Sequence, residues 1–223
     1  MPTTRRVSLG LVALLSLCGL GVAAASATIV PVGQFVGELS DSFNQNTAPN
    51  ATQSLDVFQG AATLSNLTEG GAIKVETNSR FNGDLVLPRS RVMVGQLGRG
   101  RWEFASPAIR FGGWFENNSG ADDATLYFYD ATDNLIGLAV AGVPADPAGW
   151  RWNGWESDLP FTRIDVVGNG VIEGFIWYED MQLVTVPEPA AGLLLLMGAS
   201  CVLARRRMMN QHPIGSVPTV AAS

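Results

Sequence analysis

Across residues 28–185, apolar side chains come in short alternating runs broken by Gly, Asn, Asp and Pro, and no stretch sustains the 3.6-residue period of an amphipathic helix. That pattern confines the segment to β-structure. It predicts strands near 55–64, 72–78, 90–95, 101–105, 108–115, 124–130, 134–141, 148–153, 161–167 and 174–184. The clearest unit is Ala124–Asp130 followed, after Ala131–Asn134, by Leu135–Val140. Leu126 and Phe128 fall on one face of its first strand, with Tyr127 and Tyr129 on the other. The Asp/Asn-rich connection suits a hairpin turn, because those side chains bond to turn backbone and tolerate left-handed angles. Asn44–Gln53 is polar, contains Pro49 and reads as a loop. Close strand spacing with few helices gives an all-β fold, an antiparallel two-layer β-sandwich of jelly-roll-like form.

Charge excludes several functions. The chain has 223 residues and a formal net charge of −6. Residues 28–185 hold nine basic and nineteen acidic side chains, a net charge of −10. Such a body repels phosphate backbones, so no nucleic-acid partner is expected. The only histidine is His212, and the two cysteines are Cys18 and Cys201, all outside the body. A Ser-His-Asp or Cys-His nucleophile and a His/Cys zinc site are therefore ruled out there. A glycosidase needs only two carboxylates, but Glu103, Glu116, Glu156, Glu173 and Glu179 are scattered and none pairs with another in sequence. The reading is a non-catalytic protein. The alternatives are a polysaccharide-modifying lyase or glycosidase on the same fold, or a purely structural surface protein.

The two ends read as addresses. In residues 1–27, Arg5 and Arg6 precede an apolar run, and Ala25-Ser26-Ala27 supplies the small residues that signal peptidase requires, which places Thr28 first in the mature chain. After the 28–185 domain come Val186-Pro187-Glu188-Pro189, the apolar segment 190–204, and Arg205-Arg206-Arg207. As a helix the apolar segment spans about 22 Å, short against a hydrocarbon core of about 30 Å. The arginines hold its far end in the cytoplasm. Taken in order, Pro187-Glu188-Pro189, the helix and the arginines over residues 186–207 resemble the PEP-CTERM sorting signal of certain Gram-negative bacteria. The resemblance implies a transient inner-membrane anchor and cleavage near Pro-Glu-Pro by an exosortase. It also implies delivery to the cell surface or an exopolysaccharide matrix. Residues 208–223 form a Pro-rich, uncharged tail, expected to be disordered, where such signals usually stop.

A broader resemblance covers the body. Phe111-Gly-Gly-Trp-Phe115, the 124–140 hairpin, Gly149-Trp150, Phe161-Thr-Arg-Ile164 and Trp177–Leu183 together resemble extracellular domains attached to PEP-CTERM signals, themselves similar to carbohydrate-binding jelly rolls. It implies a fold and an extracellular polysaccharide as partner. The rings offered for glycan binding are Trp150, Trp152 and Trp155, with Tyr127 and Tyr129. Trp150 and Trp152 share a strand face, although large aromatics equally fill the space between sheets; Trp114 and Phe115 lean towards that core role. Oxygen-rich acidic groups occur at Asp122-Asp123, at Asp130/Asp133/Asn134, and at Glu179-Asp180 with Asp41, none with EF-hand spacing. Jelly-roll carbohydrate binders often hold calcium between first and last strands, so the resemblance implies Asp41 and Asp180 as its ligands. For Asp130–Asn134 the plainer reading is turn chemistry.

Overall fold

In the computed structural model, residues 26–46, 50–77, 89, 91–117, 123–143, 149–169 and 175–186 are described. They form twelve strands: β1 (Ile29–Pro31), β2 (Leu39–Asp41), β3 (Asn50–Thr52), β4 (Ser54–Val57), β5 (Ala62–Asn66), β6 (Ile73–Glu76), β7 (Met93–Leu97), β8 (Gly100–Asn117), β9 (Ala124–Tyr129), β10 (Leu135–Ala141), β11 (Arg151–Gly168) and β12 (Phe175–Thr185). A single 3₁₀ turn, Phe58–Gly60, is the one helical element among the described residues, where no helix is long and apolar enough to cross a membrane. The signal-peptide residues 1–25, the Pro187–Pro189 motif and the segments after it lie outside the described residues.

All strand pairings are antiparallel, and two layers arise because β8 and β11 are each 18 residues long. The start of β8 pairs with the end of β11 (Arg101 opposite Asp165), and this half joins β10-β9 on one side and β5-β4 on the other. The end of β8 pairs with the start of β11 (Phe115 opposite Arg151), and this half joins β1 on one side and β12-β7-β6-β3 on the other. The ladder is irregular between Glu156 and Phe161, beside Pro107 and Pro160, so the two strands turn the corner together.

Between the layers lie alternate residues of each strand. Leu126 and Phe128 of β9, Trp102 and Phe104 of β8, and Ile164 and Val166 of β11 face Phe111 and Phe115 of β8, Trp155 of β11, and Ile176 and Tyr178 of β12. The rings meet edge to face: Trp102 lies 5.2 Å from both Phe111 and Tyr178, and Phe115 lies 5.7 Å from Trp155. Edge-to-face packing adds about 0.5–1.5 kcal/mol per pair to area burial. One polar network crosses this interior. The Tyr178 hydroxyl donates to Gln96 Oε1 (2.6 Å), while Gln96 Nε2 donates to the carbonyls of Gly98 and Val166. Burial pushes the Tyr178 phenol well above the ordinary range, so it remains a donor.

The 124–141 hairpin forms as predicted, and its alternation is exact in effect: Leu126 and Phe128 are fully buried, Tyr127 and Tyr129 half-buried. Three expectations are corrected. The predicted pairs 101–105/108–115 and 148–153/161–167 fuse into β8 and β11, because each strand exchanges ladder partners at the corner rather than ending there. The predicted strand 55–64 is instead β4, a turn and β5, since Phe58 (φ 52°), Gln59 (φ 60°) and Gly60 (φ 88°) take left-handed angles. Part of the predicted loop Asn44–Gln53 is β3, paired with Val75–Ile73.

The Asp130–Asn134 turn bears out the plain turn reading. The Asp130 carboxylate accepts the backbone N–H groups of Thr132 (2.8 Å) and Asn134 (3.0 Å) and both their side-chain donors. These bonds, the Thr132 hydroxyl's first, hold its carboxyl down at about 2. A depressed carboxylate contributes stability that is present above its unfolded value, near about 4, and is lost as pH falls through its folded one. The melting temperature of Asp130→Asn is therefore expected to fall less steeply than wild type between about pH 4 and pH 2; equal slopes would show that the turn carboxylate is not coupled to folding.

Candidate functional site

The outward face of the β11-β8-β12-β7-β6 layer carries residues of the parity opposite to the core, and the register arranges them in rows. Trp152 of β11 pairs with Trp114 of β8, which pairs with Glu179 of β12. In the next row Glu116 of β8 pairs with Trp177 of β12, then Gly95 of β7, then Lys74 of β6. Behind the first row, Gly112 and Gly154 pair. A Cβ on either would stand 3.2–3.3 Å from Cε1 of Phe35, so this glycine pair seats the Phe35 ring. Phe35 meets Trp152 edge-on at 5.7 Å, and Trp152 meets Trp114 at 6.0 Å.

Charge surrounds these rings. The Arg89 guanidinium stacks 3.6 Å from the centroid of Trp114 and donates to Asp180 (3.1 Å), while the Arg89 backbone N–H donates to Glu179 Oε1 (2.7 Å). A guanidinium over an indole face is a favourable cation–π contact. Lys74 lies 5.8 Å from the Phe175 ring. Gly95 is required beneath Trp177, because a Cβ there would come within 2.5 Å of its Cε3. Trp177 Nε1 and Trp152 Nε1 are both buried without a hydrogen-bond acceptor among the described residues. Glu116 and Glu179 are 2% and 0% exposed and sit diagonally on neighbouring strands.

The predicted glycan residues separate into three places. Trp150 and Trp152 lie on this face, half-buried, Trp150 packed against Met93, Phe175 and Trp177. Trp155 is corrected to the core. It is 2% exposed, against Phe115 and Phe128, because position 155 has the opposite parity from 150 and 152. Tyr127 and Tyr129 lie on the outward face of the other layer, lining a cavity of about 160 Å³ with Arg99 and Asp165. There Arg163 stacks 3.8 Å from the Tyr129 ring, and Asp165 holds Arg101 through two bonds of 2.8 and 3.0 Å. Trp114, expected to lean inward, belongs instead to the outward aromatic row, whereas Phe115 is core.

Asp41 and Asp180, 139 positions apart in the chain, do come together. They line one cavity of about 350 Å³ with Ser40, Ser42, Gln59 and Gln182 among its polar walls. Asp180 reaches it through a bulge in β12, where its φ of 47° breaks the ladder between Glu179 and Gln182. Asp41 accepts the N–H groups of Phe43 (2.7 Å) and Phe58 (2.6 Å), clamping two phenylalanines held at left-handed φ. Burial pushes its carboxyl above the ordinary value, against the pull of those two bonds. Carboxylate, hydroxyl and amide side chains, with no imidazole or thiol among the cavity's lining residues, offer oxygens that fit a hard cation such as calcium and not zinc. No group of three or more His, Cys, Asp or Glu forms among the described residues.

Sequence reasoning named Glu116 and Glu179 only as scattered acids and missed Arg89, Trp177 and Phe35. Long-range register joins Glu116, Glu179 and Trp177, whereas Arg89 and Phe35 reach the face from outside the strands, and the one local signal was the Gly112 and Gly154 positions where a ring crosses close to backbone.

No family model matches the chain, and no curated protein matches it. Among solved structures, similarity is found to a family 29 carbohydrate-binding module variant complexed with mannohexaose, at 14% identity, 71% of this chain, 93% of that chain and a TM-score of 0.32. A second variant, complexed with cellulohexaose, gives 16% identity, 71% and 92% coverage and a TM-score of 0.30. The enzymatically active domain of bacteriophage CBA120 tailspike protein 4 gives 11% identity over 71% of this chain and 19% of that one, with a TM-score of 0.22. At these scores the overlap carries no argument about ligand or activity.

Proposed function

We propose that this chain is an exported, non-catalytic glycan-binding protein of the cell surface or exopolysaccharide matrix, with a jelly-roll-like body that takes its ligand on the Trp114–Trp152 face. The carrying observation is the row Phe35, Trp152, Trp114, with partly exposed indoles, Arg89 stacked on Trp114 and Asp180 bonded to that arginine. Flat rings suit the C–H faces of pyranoses, and a few convergent polar groups supply direction to hydroxyls. A body of net charge −10 repels acidic polymers, so the ligand is a neutral polysaccharide. Asp41 and Asp180 are the residues that would hold calcium; it would brace the β2–β12 edge beside this face.

Export and sorting complete the reading. The chain would be cut by signal peptidase, sorted through the PEP-CTERM signal and released by an exosortase from a transient inner-membrane anchor. In support, β12 ends at Thr185, just ahead of Pro187, where the Val186 N–H closes on the Pro107 carbonyl (2.8 Å). At the other end Thr28 N–H donates to Asp158 (2.8 Å); a cut after Ala27 would leave an ammonium facing that carboxylate.

One observation favours a second reading, a polysaccharide-cleaving enzyme. Diagonal neighbours on paired strands stand about 7–8 Å apart at Cα, which sets the backbones of Glu116 and Glu179 close enough for both side chains to reach one substrate, as two-carboxylate hydrolysis requires. Their burial, and the Arg89 N–H on Glu179, make them a floor beneath the rings, which is why binding is the better reading.

The test is affinity electrophoresis against a panel of neutral polysaccharides, with reducing ends assayed in parallel. Trp114→Ala and Trp152→Ala are each expected to weaken binding tenfold or more, about 1.4 kcal/mol, while Tyr127→Ala leaves it unchanged and no reducing ends appear. Loss through Tyr127→Ala alone would move the site to the other face, and reducing ends abolished by Glu116→Gln would make the chain an enzyme. The intact mass of protein recovered from cells should correspond to a start at Thr28 and an end within Val186–Pro189; retention of residues 190–207 would sink the sorting reading.

A further inference from the structure

The outward face of the second layer, on the far side of the sandwich from the tryptophan row, holds a cavity of its own. Tyr127 and Tyr129 stand two positions apart on β9 and line it together with Asp165 of β11 and Arg99 of the turn between β7 and β8. Its volume of about 160 Å³ is close to the roughly 150 Å³ of a cavity that admits one six-membered ring. The register fixes which groups meet there, because Tyr127 sits directly across the ladder from Asp165 and Tyr129 from Arg163.

The walls are held in place before any ligand arrives. The Arg163 guanidinium lies 3.8 Å from the Tyr129 ring centroid and is itself bonded to Asp133, which steadies the ring. Asp165 is 7% exposed, and its two oxygens accept bonds of 2.8 and 3.0 Å from Arg101, with Arg163 Nε a further 3.6 Å from one of them. Its charge is thus answered, while a carboxylate's four lone-pair sites leave it acceptor capacity beyond those two bonds. Arg99 is exposed and brings the donors of a guanidinium to the opposite wall. Neither tyrosine hydroxyl here takes part in a hydrogen bond among the described residues, unlike that of Tyr178, which is committed to Gln96. Leu138, 59% exposed, pairs with Tyr127 on its other side and continues the apolar surface outward.

We infer that this cavity is a second carbohydrate site, which takes one neutral pyranose residue at the non-reducing end of a glycan. A carboxylate acceptor and a guanidinium donor facing one ring-sized space match the hydroxyls of a sugar, which both give and receive hydrogen bonds, and phenol rings suit its C–H face. The ligand is neutral because the acidic residues of this face already hold arginines, Asp165 with Arg101 and Asp133 with Arg163, within a body that repels anions. The inference rests on the glycan-binding reading for its ligand class and adds a different mode. Two indoles in a row follow the length of a chain, whereas a cavity of one ring's volume holds a terminal residue, and a long polymer has few ends. Loss of Tyr127 therefore leaves the retention of long polymers unchanged. With sites on opposite faces the protein is bivalent, joining the end of one glycan to the flank of another.

The protein is produced from its full-length gene with 3-fluorotyrosine at its three tyrosines, purified in the form the cells yield and followed by fluorine NMR. Tyr127→Phe and Tyr129→Phe assign the signals, and Tyr178, fully buried, is the internal control. The probes are the methyl glycosides of glucose, galactose, mannose and xylose, each the image of a terminal residue. At least one should move the Tyr127 and Tyr129 signals together to saturation in the millimolar range, as befits so small a ligand, while Tyr178 holds still. Arg99→Ala, a change to an exposed turn side chain, should raise the concentration required about tenfold, the loss expected for a charged hydrogen bond, and Trp114→Ala should leave it unchanged. The proposal is overturned if none of the four glycosides gives a saturable shift, if the shift is indifferent to Arg99→Ala, or if Trp114→Ala abolishes it. Retardation by long polymers reports the tryptophan face independently, so either site can fail while the other stands.

Discussion

The pairing of β8 with β11 is the constraint on which the rest of this protein depends. Each strand runs through both layers, and the two remain hydrogen-bonded on either side of the corner, so one ladder sets the register of every other strand. Slipping it by one residue would carry the inward rings of Phe111, Phe115 and Trp155 outward and bring Trp114 and Trp152 in. The aromatic core and the aromatic face are thus two readings of one alternation. Edge-to-face contacts of Trp102 with Phe111 and Tyr178 lock it from inside.

This dependence explains what could be read from the chain and what could not. The hairpin at 124–141 was legible because its information is local: four alternating side chains and a turn whose Asp130 bonds its own neighbours. The shared face of Trp150 and Trp152 was legible for the same reason. Trp155 was misplaced because residue type was allowed to override parity, which assigns it to the other side. The short strands β1, β2 and β3 left no signal, since three residues acquire strand geometry only from partners elsewhere in the chain. Glu116 and Glu179 looked scattered because they lie 63 positions apart in sequence and one diagonal step apart on the sheet.

The Asp180 bulge links the two features of this side of the molecule. By leaving the ladder after Glu179 it sends one carboxylate to the floor of the aromatic face and the next into the polar cavity with Asp41, while Arg89 contacts both carboxylates and stacks on Trp114. A change of charge in the cavity is therefore felt at the rings through a single guanidinium. The opposite layer presents a different surface of tyrosines and paired charges.

The central claim is that polysaccharide meets the Trp114–Trp152 face. Its most direct test is the set of six indole N–H resonances in a nitrogen-resolved proton spectrum, assigned by single Trp→Phe variants and followed as a neutral polysaccharide is added. The account predicts that the Trp114 and Trp152 signals shift and saturate together while those of Trp102 and Trp155, sealed in the core, hold still. Saturable binding that leaves Trp114 and Trp152 unmoved would contradict it.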